Sequence, residues 1–199
     1  MNREKIILVF ILLSSFLFGS AQNLDLDLAK SINPRNPNSS YWKITSGSAY
    51  FVSPAVPVSL LVTGLIKNDK ELKRKSYEMF GAIFLELAIS ETMKITINRQ
   101  RPAEEYPGEI FPYSNASGKS FPSGHTSLAF ASAASLSIQF KKWYVTLPAY
   151  AWAATVGYSR IYLGVHYPTD VLAGAAVGIG SAYLAHWLNH KLFGAKKNH

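Results

Sequence analysis

His166 and Asp170 stand four residues apart with Pro168 between them. Proline fits the first turn of a helix, which places Asp170 in that turn and one helical turn from His166. A carboxylate there can accept a hydrogen bond from Nδ1–H and leave Nε2 as a free lone pair, the arrangement of an oriented nucleophile. Ser159 and Arg160 precede the pair. Earlier in the chain, Pro122-Ser123-Gly124-His125 opens an apolar stretch. Ser123 is a candidate N-cap, the free N–H groups of a helix start bind anions, and Gly124 lets a ligand approach the backbone. His125 falls in the first turn, facing the same anion. Lys94 and Arg101 are seven apart, about two helical turns if one helix carries both. Pro102 biases Arg101 out of that helix, so its end would present two cations to one point.

Each cluster taken alone has a plainer reading. Lys94 and Arg101 fit basic side chains snorkelling to a membrane surface. The second cluster fits a helix start beside a structural histidine, and the third a structural His–Asp hydrogen bond. Together they supply three fixed cations, an anion-binding helix start, a proton-donating histidine and an oriented nucleophilic one. That inventory suits phosphoryl transfer, in which cations and backbone donors meet the charge of the transferring group. A nucleophile splits hydrolysis into two easier steps through a covalent intermediate. No metal or other cofactor is called for, because Lys94, Arg101 and Arg160 can do the electrostatic work.

The elements that must position these residues are apolar. The chain has 199 residues, 48% hydrophobic and only 16% charged, so it forms a packed structure of one domain or two. The absence of cysteine excludes disulfides, zinc–thiolate sites, iron–sulfur clusters and thiol catalysis. A net charge of +8 points to an anionic partner: nucleic acid, phosphate or a membrane surface. Arg3 and Lys5 precede an apolar run from Ile6 to Phe18, and Gly19-Ser20-Ala21 follows. This pattern predicts a secretory signal peptide over 1–21, with an uncleaved anchor helix as the alternative.

After a polar outer-face arm at 22–47 come five apolar stretches: Ser48–Ile66, Tyr77–Ile97, Ser123–Phe140, Trp143–Tyr158 and Asp170–Leu188. Most are near bilayer-spanning length, and the last three are rich in small residues that let membrane helices approach closely. The expected fold is all-α: a helical bundle of five transmembrane helices over 48–190, ending in a basic cytoplasmic tail at 191–199. Alternation puts twelve of the twenty Lys and Arg residues on one side and eight on the other. The basic side is cytoplasmic, so all three clusters face outward. The plainer alternative is a soluble helical bundle with basic loops.

The clusters read K-x6-R-P from Lys94, P-S-G-H from Pro122 and S-R-x5-H-x3-D from Ser159, with 19 and 33 residues between them. All eleven fixed positions resemble those of the type 2 phosphatidic acid phosphatase superfamily. That superfamily also contains bacterial nonspecific acid phosphatases and vanadium haloperoxidases. The resemblance implies that His166 attacks phosphorus to form a phosphohistidine and that Asp170 orients and activates it. It implies that His125 protonates the leaving oxygen and then activates water. Lys94, Arg101, Ser123, Gly124 and Arg160 would hold the phosphoryl oxygens.

The leading expectation is a membrane phosphatase of a bacterial inner membrane. It would act on a lipid phosphate or diphosphate at the periplasmic face: undecaprenyl diphosphate, phosphatidic acid, phosphatidylglycerophosphate or lipid A. Its partners are then that substrate and membrane lipids, not nucleic acid; oligomeric state is not legible. The alternatives are a soluble periplasmic acid phosphatase, a haloperoxidase with vanadate in the phosphate position, and a non-catalytic lipid-phosphate receptor or transporter. The intact His166–Asp170 pair speaks against the last, since binding needs no nucleophile. Glu86, in mid-segment, is either functional or an interhelical hydrogen-bonding group. Glu91 either orients Lys94 or simply pairs with it. Glu104, Glu105 and Glu109 read as solvated. The Leu24-Asp-Leu-Asp-Leu28 run reads as a membrane-surface cover or a loose arm. His186, His190 and His199 belong to the cytoplasmic end. A bell-shaped pH profile is expected, with His166 neutral and His125 protonated.

Overall fold

The computed structural model describes residues 24–114 and 117–193. The expected signal peptide and the last six residues of the basic tail lie outside the described residues. Regular structure among the described residues is helical: α1 over residues 24–32, then α2 (Ser40–Ile66), α3 (Lys70–Ile97), the single turn α4 (Pro102–Glu105), α5 (Gly124–Phe140), α6 (Trp143–Tyr162) and α7 (Pro168–Phe193).

Several helices outrun the apolar stretches that announce them. α2 starts eight residues before Ser48, so the 22–47 arm is largely helical where described. α3 starts at Lys70 inside the charged linker, because the Asp69 carboxylate caps it by accepting from Glu71 N (2.8 Å) and Leu72 N (3.1 Å). α3 then stops at Ile97. Asn98 takes the left-handed conformation (φ 56°) and donates its N–H to the Lys94 carbonyl. Lys94 and Arg101 therefore do not share a helix; Arg101 is the extended residue before α4. Pro54 and Pro57 lie within α2, and the Pro57 carbonyl accepts from Ser76 Oγ (2.8 Å) on α3.

α5 is the centre of the bundle and packs on α2, α3, α6 and most extensively α7. Glycine makes the α5–α7 seam possible. A Cβ on Gly174 would lie 2.6 Å from the Ser123 carbonyl oxygen, and one on Gly178 2.1 Å from that of Ser127. Two glycines four apart thus bring the backbones together, as small-xxx-small pairs do in membranes. The core around this seam is also built of small side chains. Ala49, Ala129, Ala133, Ala153 and Val156 form one cluster; Ala82, Ala134, Ala182 and Ala185 form another.

The large apolar residues face outward instead. Phe51, Ile66, Phe84, Leu147 and Leu172 are all exposed. Among the described residues two helices, Ser40–Ile66 and Pro168–Leu192, are long and apolar enough to cross a membrane. This inside-out distribution is that of a membrane protein. α5 has only 17 residues and more than half of them are buried, so its neighbours rather than lipid surround it. The chain alternates direction, and the starts of α2, α5 and α7 meet the ends of α3 and α6 at one end of the bundle. The basic turns at 67–70 and 141–142 lie at the other.

Candidate active site

At the end where those five helices meet, the described stretches 98–114 and 117–123 of the α3–α5 connection bring Arg99 and Ser120 to Asp170 and Arg101 to His166. α7 begins at Pro168 as the sequence predicts, with Asp170 in its first turn. The Asp170 carboxylate is fully buried and saturated with donors. Oδ1 accepts from Arg99 Nη1 (2.8 Å); Oδ2 accepts from Tyr167 N (2.9 Å) and from Ser120 Oγ. His166 Nδ1 lies 3.5 Å from Oδ2, long for a hydrogen bond, and is otherwise unpartnered. The pairing foreseen from the i, i+4 spacing is present as proximity, with Tyr167 N and Ser120 holding the oxygen more tightly.

The other face of His166 meets a cation. Arg101 Nη1 is 3.4 Å from His166 Nε2. A guanidinium can only donate, so this contact requires the lone pair on Nε2 and the proton on Nδ1, toward Asp170. Arg101 is itself held by three carbonyls: Val165 (2.7 Å), Gly118 (3.1 Å) and Ser117 (3.1 Å). Burial is the main influence on His166 and pulls its pKa down to about 4; Asp170 acts against this and Arg160 adds to it. His166 is therefore neutral, with its lone pair free, throughout the neutral range. Burial also lowers the Arg101 pKa.

The remaining predicted residues surround this centre. Ser123 does precede α5, but its hydroxyl pairs with Thr126 Oγ1 (2.8 Å) rather than capping the backbone. Ser123 N donates to the Asp170 carbonyl (3.0 Å), so the second and third motifs are joined through the main chain. The first-turn N–H groups of α5 have no intrahelical acceptor, as at every helix start. Gly124 leaves room for Lys94, whose Nζ would be 3.4 Å from a Cβ at that position. Lys94 is paired with Glu91 (2.6 Å). His125 meets the ring of Tyr50 from α2, with centroids 4.4 Å apart. Arg160 is buried, donates to Ser46 Oγ (2.5 Å) and leaves its Nε without a partner. A cavity of about 500 Å³ opens beside Lys94, Arg101, Asn98 and Lys119. Among the described residues no three His, Asp or Glu side chains are grouped to hold a metal ion.

Four residues were not legible as part of this site: Asp25, Arg99, Ser120 and Thr169. Arg99 stands two before Arg101 and reads in sequence only as one more basic loop residue. Here burial opposes its charge, but Asp170 and Asp25 more than compensate and raise its pKa. Of the other acids, Glu86 accepts from Ser90 Oγ (3.0 Å) one turn along the same helix, Ser90 Oγ in turn lies 3.3 Å from Ser127 Oγ of α5, and Glu105 accepts from Tyr167 OH (2.7 Å). Glu109 pairs with Lys30.

The comparisons with known proteins bear on this arrangement. A family model, that of the PAP2 superfamily, matches residues 76–193, more than half of the chain. The chain belongs to the PAP2 superfamily. An undecaprenyl-diphosphatase of Sulfolobus acidocaldarius is 28% identical over 90% of this chain and 87% of its own. A lipid A 4'-phosphatase of Bacteroides thetaiotaomicron is 40% identical over 75 residues, 38% of this chain. That match spans only 33% of the Bacteroides protein. Among solved structures, Aquifex aeolicus LpxE superposes with a TM-score of 0.66 at 30% identity, covering 82% of this chain and 95% of that one. All eleven motif positions of this PAP2 chain fall between residues 94 and 170, inside the matched region.

Proposed function

We propose that this PAP2-family phosphatase hydrolyses a lipid phosphate or diphosphate through a phosphohistidine, without a metal ion. The observation that carries the reading is the His166 environment. Its Nε2 lone pair faces a fixed guanidinium at 3.4 Å while Asp170 lies behind Nδ1. Nε2 attacks phosphorus and the bond from phosphorus to the leaving oxygen breaks. His125 gives its proton to that oxygen. His125 then takes a proton from water, whose oxygen attacks the phosphohistidine and releases phosphate. Lys94, Arg101, Arg160 and the first-turn N–H groups of α5, around Ser123 and Gly124, hold the phosphoryl oxygens as their charge redistributes.

The lipid is one whose phosphate meets the site at the membrane surface while its chains stay among the exposed apolar side chains of the helices. Relatives named for undecaprenyl diphosphate and lipid A support that class; phosphatidic acid and phosphatidylglycerophosphate belong to it chemically. Five spans after a cleaved segment at 1–21 put the site on the periplasmic face of a bacterial inner membrane, with the basic turns and the 191–199 tail in the cytoplasm.

The experiment is phosphate release in detergent with EDTA present. The substrates are undecaprenyl diphosphate, phosphatidic acid, phosphatidylglycerophosphate, lipid A and a soluble aryl phosphate. Preference for one lipid over the aryl ester is expected. Equal or better turnover of the aryl ester would replace this reading with a broad-specificity acid phosphatase. Loss of activity with EDTA would remove the metal-free mechanism.

A further inference from the structure

Helix α1 lies outside the motif region, yet it reaches the site. Its apolar face, with Leu26, Ala29 and Ile32, packs against Ala103, Tyr106, Ile110, Ile161 and Val171. This docking buries Asp25, which is 4% exposed, while Asp27 two residues on stays exposed. The Asp25 carboxylate is fully used. Oδ1 accepts from Thr169 N (2.9 Å); Oδ2 accepts from Thr169 Oγ1 (2.5 Å) and Arg99 Nη2 (2.7 Å). Arg99 turns its other nitrogen to Asp170 Oδ1 (2.8 Å) and Thr169 Oγ1 (2.7 Å). Its guanidinium lies over the Tyr167 ring, 3.8 Å from the centroid.

Two buried carboxylates thus share one guanidinium. An arginine paired with Asp170 alone would cancel the charge that His166 needs behind it. Sharing the arginine with Asp25 leaves the trio one unit negative. We propose that Asp25 is a positioning residue for the reaction: through Arg99 and Thr169 it fixes Asp170 beneath His166 and preserves the negative charge that supports the imidazole. This rests on the phosphohistidine reading above.

The groups that face His166 define the expected sign. Asp170 of α7 is the anion next to it, with Asp25 of α1 behind. Arg101 of the connection and Arg160 of α6 are cations, and His125 of α5 lies nearby with Lys94. Ser120 and Tyr167 N contact Asp170 and carry no charge. Removing the Asp25 charge leaves the cations less opposed, so protonated His166 is disfavoured and the acidic limb of kcat/KM moves to lower pH. Asp25 touches none of the phosphate-binding residues, so KM should hold while kcat falls.

The test uses the full-length protein in detergent, with undecaprenyl diphosphate and phosphatidic acid as probes. Asp25→Asn keeps the shape and one carbonyl acceptor. It is expected to lower kcat about tenfold, the scale of a small misplacement in a site, with KM within about twofold and the acidic limb lowered. Asp27→Asn on the same helix should match wild type. If Asp25→Asn does not fold, Thr169→Val removes the hydroxyl that bridges Asp25 and Arg99; it should lower kcat with KM held, while the acidic limb stays in place because no charge is removed. Wild-type kcat and limb in the folded variant would overturn the proposal, as would a KM effect alone. His166→Ala in the same preparations separates the two failures: activity surviving there condemns the phosphohistidine reading, not the role of Asp25.

Discussion

Two buried carboxylates each meet a histidine, one at either end of the bundle, and the better hydrogen bond is at the end away from the proposed site. Glu78 and His186 are 2.8 Å apart, and Asn189 Nδ2 completes the carboxylate at 2.6 Å. Asp170 and His166 are 3.5 Å apart. The His186 side chain is 42% exposed, that of His166 3%. Around Glu78 the nearby cations Lys70, Lys73 and Arg74 stand on flexible stems along an apolar groove. Around Asp170 the cations are guanidinium groups, each tied down by neighbours: Arg99 by Asp25, Arg101 by three carbonyls, Arg160 by Ser46. What makes a reactive centre is therefore not the pair. It is the exclusion of water together with cations whose positions are set before an anion arrives, and preorganised charge of that kind stabilises a transition state without reorganising at the moment of reaction.

The comparison can be broken most directly at the two histidines. His166→Ala removes the proposed nucleophile while the clamp remains, and turnover should fall at least about a thousandfold. Activity within tenfold of wild type would sink the mechanism. Arg101→Ala deletes the cation facing Nε2, and a fall in kcat/KM of about a hundredfold is expected. A change within twofold would mean that the guanidinium is only structural. Sharpening the contrast in pH comes next. Burial holds the His166 pKa near 4. The neutral nucleophile is lost only as pH falls through that value, so the acidic limb of kcat/KM should lie well below 6.5, where an ordinary histidine titrates. A limb at 6.5 would show a solvated His166. At the opposite end, Glu78→Gln should leave phosphate release within about twofold of wild type and lower stability by roughly 1–3 kcal/mol, the cost of a disturbed buried polar group. Thermal unfolding in detergent measures the second number, and a large loss of kcat in folded protein would merge the two ends functionally.

The five long helices were largely legible, because apolar runs are local signals; α1 and the single turn α4 were not. Hydropathy placed the start of α2 at Ser48, eight residues late. Its first two turns carry Tyr41, Trp42, Lys43 and Thr45, which continue a helix without looking apolar. Whether one helix carries both Lys94 and Arg101 was open in the sequence; Asn98 decides it, since its left-handed turn ends α3 while the connection still delivers Arg101 beside His166. Arg99, Ser120 and Asp25 escaped for another reason. Their partners lie 50 to 144 positions away, and no spacing rule links Asp25 to Thr169 before the bundle has folded. The Leu24–Leu28 run, open between a surface cover and a loose arm, is part of a docked helix that leaves Leu24 and Leu28 exposed; burial on its Leu26–Ala29 face was decided by elements far off in sequence.

The glycine seam between α5 and α7 has a mechanical consequence. Lipid composition changes the thickness of a bilayer, and spanning helices answer by tilting, at small cost for each ångström of mismatch. α5 and α7 cannot answer separately. With Gly174 and Gly178 pressed against the carbonyls of Ser123 and Ser127, the two helices tilt as one spar, and the adjustment falls on the helices around them. His125 and Asp170 ride on that spar, so the distance between the proposed proton donor and the proposed orienting carboxylate is insulated from the thickness of the surrounding membrane.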